Sequence, residues 1–251
     1  MISHNGEIVR QSVHIGTSGW NYKHWFGPFY PEHLPQDEML SFYARHFDTV
    51  EINNTFYHLP TIKTFTSWRE QVSKDFLFAV KASRFITHMK KLKAPKTSAK
   101  KLFNRMQKLE ETLGPVLFQL PPGWRRNDER LARFLESLPA RHQYVFEFRD
   151  ASWFKQDIYD LLKQHNVAFC IHDFRGKKTP REITADFTYV RMHGPRKAAY
   201  SGSYQPRVLQ NWAQQIAEWQ EKLKDIYIYF NNDAEGNAIK NALKLRQLCE
   251  R

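Results

Sequence analysis

The sequence predicts a single α/β domain, a TIM-type (β/α)8 barrel. Three observations point there. Eight short runs rich in Val, Ile, Phe and Tyr alternate with stretches of helical period. No Gly/Ser linker, low-complexity segment or long repeat divides the 251 residues, and barrels of roughly 250 residues are single domains. The turn after the first run, GTSGW (Gly16 to Trp20), lacks the GxGxxG that a dinucleotide-binding open sheet carries there, and no GxxxxGK[ST] occurs. A doubly wound open sheet is the alternative for the same alternation. The expected domain spans 1–251, with 1–12 as an N-terminal extension.

The first strand is expected over 13–17. A helix over 37–47 follows, with Met39, Leu40, Tyr43 and Phe47 as its apolar positions. The second strand, 49–53, opens the stretch VEINNTFYHLP and puts Glu51 and Asn53 on one face, Val50 and Ile52 on the other. A helix over 61–72 leads to the third strand, 77–82. The next helix is expected from a cap at Thr97 or Ser98 to Leu113, stopped by Gly114 and Pro115. The fourth strand covers 115–120, and a helix over 128–138 repeats Leu131, Phe134, Leu135 and Leu138. The fifth strand is 144–149, its helix 154–165, and the sixth strand 168–173. After it, 180–185 leaves room for a turn or two, so the barrel is expected to be irregular at its sixth helix. The seventh strand, 187–193, the helix 206–223, the eighth strand 226–231 and a helix over 234–248 complete the chain.

Composition bounds the setting. No apolar run nears the ~20 residues of a membrane span, and MISHNGEIVRQ lacks a secretory apolar core. Cys170 and Cys249 are the only cysteines, which points to a reducing cytoplasm rather than a disulfide framework. With 38 basic and 26 acidic residues the net charge is +12, a balance that favours anionic partners. From Lys81 to Lys108 there are ten Lys or Arg and no Asp or Glu. Arg125 and Arg126 follow the fourth strand, Arg175, Lys177 and Lys178 the sixth, and Arg196 and Lys197 the seventh. In a barrel all of these lie on the rim where the strands end. Trp20, Trp25, Trp124, Trp153, Tyr200 and Tyr204 are expected on the same rim, where rings beside cations suit bases or sugars, or simply pack the loops.

Every strand ends in polar or ionisable groups: Ser18; Glu51 and Asn53; Lys81; Gln119; Glu147 and Arg149; His172 and Asp173; Arg191 and His193; Asn231 and Asp233. Unpaired buried charge costs several kcal/mol per ion, so Glu51 in a strand implies a partner. Glu51, Glu147 and Asp173 can balance Lys81, Arg149 and Arg191. Singly, each could be structural; together they mark a pocket. Glu51 and Glu147 are candidate acid and base, Lys81 and Arg191 stabilise developing negative charge, and Arg149 holds a carboxylate or phosphate. His172 or His193 would move protons, with Gln119 and Asn231 orienting the substrate. No cofactor is expected. Glu147, Asp173, His193 and Asp233 could ligate a divalent ion, but no local ligand motif supports this and the neighbouring cations oppose it.

The segments IGTSGWNYKHWFGPFYP, YARHFDTVEINNTFYHLP, FLFAVKASRFITH, GPVLFQLPP, FEFRDASW, YVRMHG, YSGSY and YFNND extend from Ile15 to Asp233. In them the chain resembles the DUF72 family, the YecE-like proteins of unknown function. The resemblance implies a TIM-type barrel and brings no established reaction or catalytic residues with it. Two functions follow from the residues. One is an enzyme acting on an anionic (phosphorylated or carboxylated), ring-containing small molecule, by hydrolase, isomerase or lyase chemistry. The other is a nucleic-acid-binding or nuclease-like barrel using the basic rim and stacking aromatics.

Overall fold

The computed structural model describes residues 12–250, apart from the side chains of 95, 96 and 98. Among the described residues nine strands occur: β1 (Ser12–Thr17), β2 (Thr49–Ile52), β3 (Leu77–Lys81), β4 (Leu113–Gln119), β5 (Tyr144–Glu147), β6 (Ala168–Phe174), β7 (Lys177–Lys178), β8 (Phe187–Met192) and β9 (Asp225–Phe230). The helices are α1 (Met39–Ala44), α2 (Ile62–Glu70), α3 (Pro95–Met106), α4 (Asp128–Glu136), α5 (Gln156–Gln164), α6 (Pro206–Gln220) and α7 (Asn237–Cys249). All strands but β7 are parallel, in the order β1-β9-β8-β6-β5-β4-β3-β2.

The order makes β1 and β2 the two ends of the sheet, and they meet to close a nearly complete barrel. Closure runs through a single bridge between Ser18 and Glu51, with the Gly19 N–H donating to the Glu51 carbonyl at 2.8 Å. Gly16 makes the approach possible. A Cβ there would lie 2.3 Å from the Thr49 carbonyl oxygen, inside any tolerable contact.

Two apolar layers follow from strand alternation. The larger lies between strands and helices. The smaller fills the barrel interior with Ala79, Leu117, Val145, Ala168, Cys170, Phe187, Tyr189, Tyr227 and Tyr229. Helix starts show the expected chemistry: Thr61 accepts from the Thr64 N–H, and Asn127 accepts from the Arg130 N–H at 3.0 Å. Behind Asn127, Leu131, Phe134 and Leu135 of α4 are buried. No helix among the described residues is long and apolar enough to cross a membrane.

Three expectations need correction. The helix expected from 97 or 98 to 113 begins at Pro95 and ends at Met106. A 3-10 turn follows, with Glu110 at φ 49°. Leu113, Gly114 and Pro115 belong to β4 rather than stopping a helix. Pro115 fits because the β3–β4 register shifts between Phe78 and Val80, so its missing N–H interrupts an already irregular ladder. Of the expected N-terminal extension, residues 1–11 lie outside the described residues, and Ser12 already pairs with Asp225 in the sheet. Between β6 and β8, where a turn or two is expected, the chain makes no helix. It turns back through β7, which pairs antiparallel with Asp173 and Phe174, and leaves a cavity of about 280 Å³ against α6, walled partly by Ile171, Lys178, Arg181 and Trp212.

Candidate functional site

Alternation carries the barrel interior into its mouth. Two residues beyond Ala79, Leu117, Val145, Cys170, Tyr189 and Tyr229 stand Lys81, Gln119, Glu147, His172, Arg191 and Asn231. The same strand faces that bury apolar groups lower down present these polar groups at the C-terminal end.

Arg191 organises them. Its Nη2 donates to Glu51 Oε1 at 2.7 Å and its Nη1 to Glu147 Oε2 at 2.5 Å, with all three side chains buried. Glu51 also accepts from Ser18 Oγ and from the Tyr189 hydroxyl, each at 2.6 Å. Glu147 takes the Arg149 Nε–H as its second cationic donor. Two carboxylates and two guanidiniums thus form a charge-balanced buried set, the condition under which such charges persist. Burial pushes the Glu147 carboxyl upward, but Arg149 and Arg191 overcome it and hold the group well below the carboxylate range. Against the cost of its own burial, the two carboxylates keep Arg191 firmly charged.

The histidines are neutral. Burial, then Arg191, depresses the His193 imidazole well below its usual value, and burial brings His172 down to about 4. Arg149 Nη2 lies 3.0 Å from His193 Nε2. A guanidinium only donates, so Nε2 accepts and the proton sits on Nδ1. Nδ1 is 3.0 Å from the Asn231 side-chain amide, which must turn its oxygen to that proton. The His193 backbone N–H donates to Asp173 Oδ1 at 2.7 Å, and the Tyr204 hydroxyl donates to Asp173 Oδ2 at 2.5 Å. The Phe174 and Tyr200 rings flank His193, their centroids 5.6 Å from it. The Arg149 and Arg175 guanidiniums approach the Phe174 ring at 4.2 and 5.4 Å.

Lys81 differs from its neighbours. It has no carboxylate within salt-bridge distance among the described residues, since Glu51 and Glu147 are spent on Arg191 and Arg149. Its Nζ instead lies 4.3 Å from the centre of the Phe56 ring. Burial, followed by Arg191, lowers its pKa to about 7.

Ser18, Glu51, Lys81, Glu147, Arg149, His172, Arg191, His193 and Asn231 therefore converge. Gln119 stands beside Glu147 in the sheet register. Asp173 and Tyr204 sit one layer out, behind His193. Asp233 is turned away to Trp25 Nε1 at 2.7 Å and His24 Nε2 at 2.8 Å. Trp20 packs edge-on against Trp68 and, with Asn53, lines a separate cavity of about 350 Å³; the Asn53 Oδ1 is buried without a partner. Trp25 and Trp153 are core residues, and Trp124 packs on Trp153, whereas Tyr200 is exposed at the mouth. Among the described residues no three His, Cys, Asp or Glu side chains cluster as metal ligands. The rim cations Lys90, Lys91, Lys93, Arg175, Lys177, Lys178, Arg196 and Lys197 are exposed, while Arg126 is taken up by Asp128 and Asp157.

Sequence reasoning passed over Phe56, His88 and Tyr189. The period of two already put Tyr189 beneath Arg191. His88 lies in a single π-helical turn, Phe85–Met89, a geometry frequent at functional sites but without a sequence mark.

Comparison with known proteins bears on the whole domain. The family model described as "Protein of unknown function DUF72" matches residues 14–251. The UPF0759 protein YunF of Bacillus subtilis is 25% identical over 95% of both chains. The UPF0759 protein YecE of Escherichia coli K12 is 27% identical over 83% of this chain and 82% of its own. The crystal structure of a DUF72 family protein from Thermotoga maritima superimposes with a TM-score of 0.87 at 30% identity, covering 96% of this chain and 100% of that one.

Proposed function

The chain belongs to the DUF72 family, and from that premise we propose that it is an enzyme acting on an anionic, ring-containing small molecule at the C-terminal mouth of the barrel. The observation that carries this reading is the buried set Glu51–Arg191–Glu147–Arg149, placed beside two neutral imidazoles and an amine with no carboxylate partner. A barrel needing only stability would fill that layer with Val, Ile and Leu. Charge buried at this cost is expected where fixed dipoles must face a reacting group.

In this reading the carboxylates and guanidiniums are the frame, because each Glu is already engaged by strong donors. Proton transfer falls to His193 and His172, which are neutral at physiological pH. Phe174 and Tyr200 offer faces for a ring. Arg175, Lys177, Lys178 and Lys197 border them and suit a phosphate or carboxylate; the two loops come together where Gly176 meets the Lys197 side chain.

The test is a melting-temperature screen of phosphorylated and carboxylated sugars, nucleotides and aromatic acids. A ligand bound only by the folded state raises the melting temperature by mass action. A hit is expected, weakened about tenfold or more in affinity by Arg175→Glu combined with Lys197→Glu. If no such compound at millimolar concentration shifts the transition, the reading fails. The exposed rim cations also favour the nucleic-acid reading. Its mark would be affinity for single-stranded or duplex nucleic acid that falls steeply with salt.

A further inference from the structure

We propose that Lys81 is a nucleophilic amine that condenses with an aldehyde or ketone carbon of the substrate, and that His88 carries the protons of that step. This rests on the substrate reading above and narrows it to carbonyl compounds. Three geometric facts point to it. Lys81 follows Ala79 on the inward face of β3, so its amine enters the mouth while remaining partly exposed. Both carboxylates that could fix it as an ammonium are bound to guanidiniums. The Phe56 ring forms an apolar wall at 4.3 Å from Nζ, and the His88 ring packs edge-on against the same Phe56 at 5.0 Å. His88 Nδ1 is 2.9 Å from Thr87 Oγ1, which orients the ring.

The charged surroundings agree. Lys81 faces Arg191 from β8, Glu51 from β2, and Glu147 and Arg149 from the end of β5. Burial and Arg191 outweigh the carboxylates and lower the amine to about 7, so a free-amine population exists at neutral pH. Burial, with Lys81 and Arg84 nearby, keeps the His88 imidazole below its usual value and therefore neutral.

The chemistry balances. The free amine adds to the carbonyl carbon, forming the N–C bond as the carbonyl π pair moves to oxygen. The first nitrogen proton passes through the His88 imidazole to that oxygen, giving a carbinolamine; His88 then relays a solvent proton to the hydroxyl and recovers one from the iminium N–H once C=N has formed. The oxygen departs as water while the nitrogen lone pair forms C=N. One carbonyl compound is consumed, one water is released, and no oxidation state changes.

The experiment incubates the full chain at pH 7 with cyanoborohydride and, separately, glyoxylate, dihydroxyacetone phosphate and pyridoxal 5′-phosphate, followed by peptide mass mapping. The proposal expects at least one probe to label Lys81 about tenfold or more above exposed lysines such as Lys90 and Lys93. Lys81→Arg removes that label. His88→Gln slows its appearance about tenfold or more while the melting temperature holds within a few degrees. Labelling spread over surface lysines, with no excess at Lys81 for any probe, overturns the proposal. Pyridoxine 5′-phosphate, which has no carbonyl, separates the two readings. If it or another anionic ring raises the melting temperature while Lys81 stays unlabelled, only the imine step falls; if nothing binds and nothing labels, both fall.

Discussion

Arg191 meets Glu147 at 2.5 Å, and neither side chain is more than 1% exposed. The same guanidinium reaches Glu51, so removing it leaves Glu51 buried without a cation and Glu147 with Arg149 alone. Arg191→Met should cost about 3–5 kcal/mol, the usual penalty for breaking a buried pair, measured by urea denaturation at pH 7. Acid should narrow the deficit, because protonation neutralises the carboxyls left behind. A variant as stable as the parent at pH 7 would show that the network contributes nothing.

Glu147 makes a separate prediction about acid. Its folded value is held well below the unfolded carboxyl value. Its contribution is therefore complete above the unfolded pKa of about 4.3 and drains as pH falls toward the folded one. Glu147→Gln should lose stability at pH 7 and show a shallower fall in melting temperature between about pH 4.5 and 3. Parallel acid limbs in the two proteins would contradict this.

Lys81 acts through the cost of its charge rather than through a gain from it. Its folded value near 7 lies below the ordinary 10.5, so the unfolded chain binds the extra proton between those pH values. Stability from this residue rises across that window, and below it the full cost of a desolvated ammonium is present. Lys81→Met should melt several degrees higher than the parent at pH 6, at about 2–4 °C per kcal/mol. The gain should shrink toward pH 10. Equal melting at pH 6 would mean that the amine is not desolvated.

Gly16→Ala tests closure. The added methyl would lie 2.3 Å from a backbone oxygen of β2, which cannot rotate away. A loss of about 3 kcal/mol or more is expected in chemical denaturation, at the upper end of overpacking costs. Alanine tolerated within about 0.5 kcal/mol would show that the strands part there easily.

Much of this site was written in the strand periodicity. Glu147 with Arg149 and Arg191 with His193 are two apart, so a shared face followed once the strands were placed. Asp173 has the other parity from Cys170 and His172, which explains its place behind His193. Asp233 has the parity of Asn231, but it lies beyond β9 with helical backbone angles (φ −80°), so alternation no longer applies. Trp20 follows Gly19 at φ +92°, where the chain also leaves the strand direction. That one guanidinium joins two strands 140 residues apart is a tertiary fact with no local signal. Gly114-Pro115 misled because these residues stop helices far more often than they enter strands.

The hoop of this barrel is fastened by its own chemistry. Where β1 and β2 meet, the latch is the Ser18 hydroxyl on the same carboxylate that Arg191 and Tyr189 hold. Anything drawing that carboxylate toward a guest would slacken the fastening and let the first βα unit breathe. Occupancy of the mouth by a ligand and mechanical integrity would thereby be coupled through one oxygen pair, and hydrogen exchange at Ser18 and Gly19 would report on both.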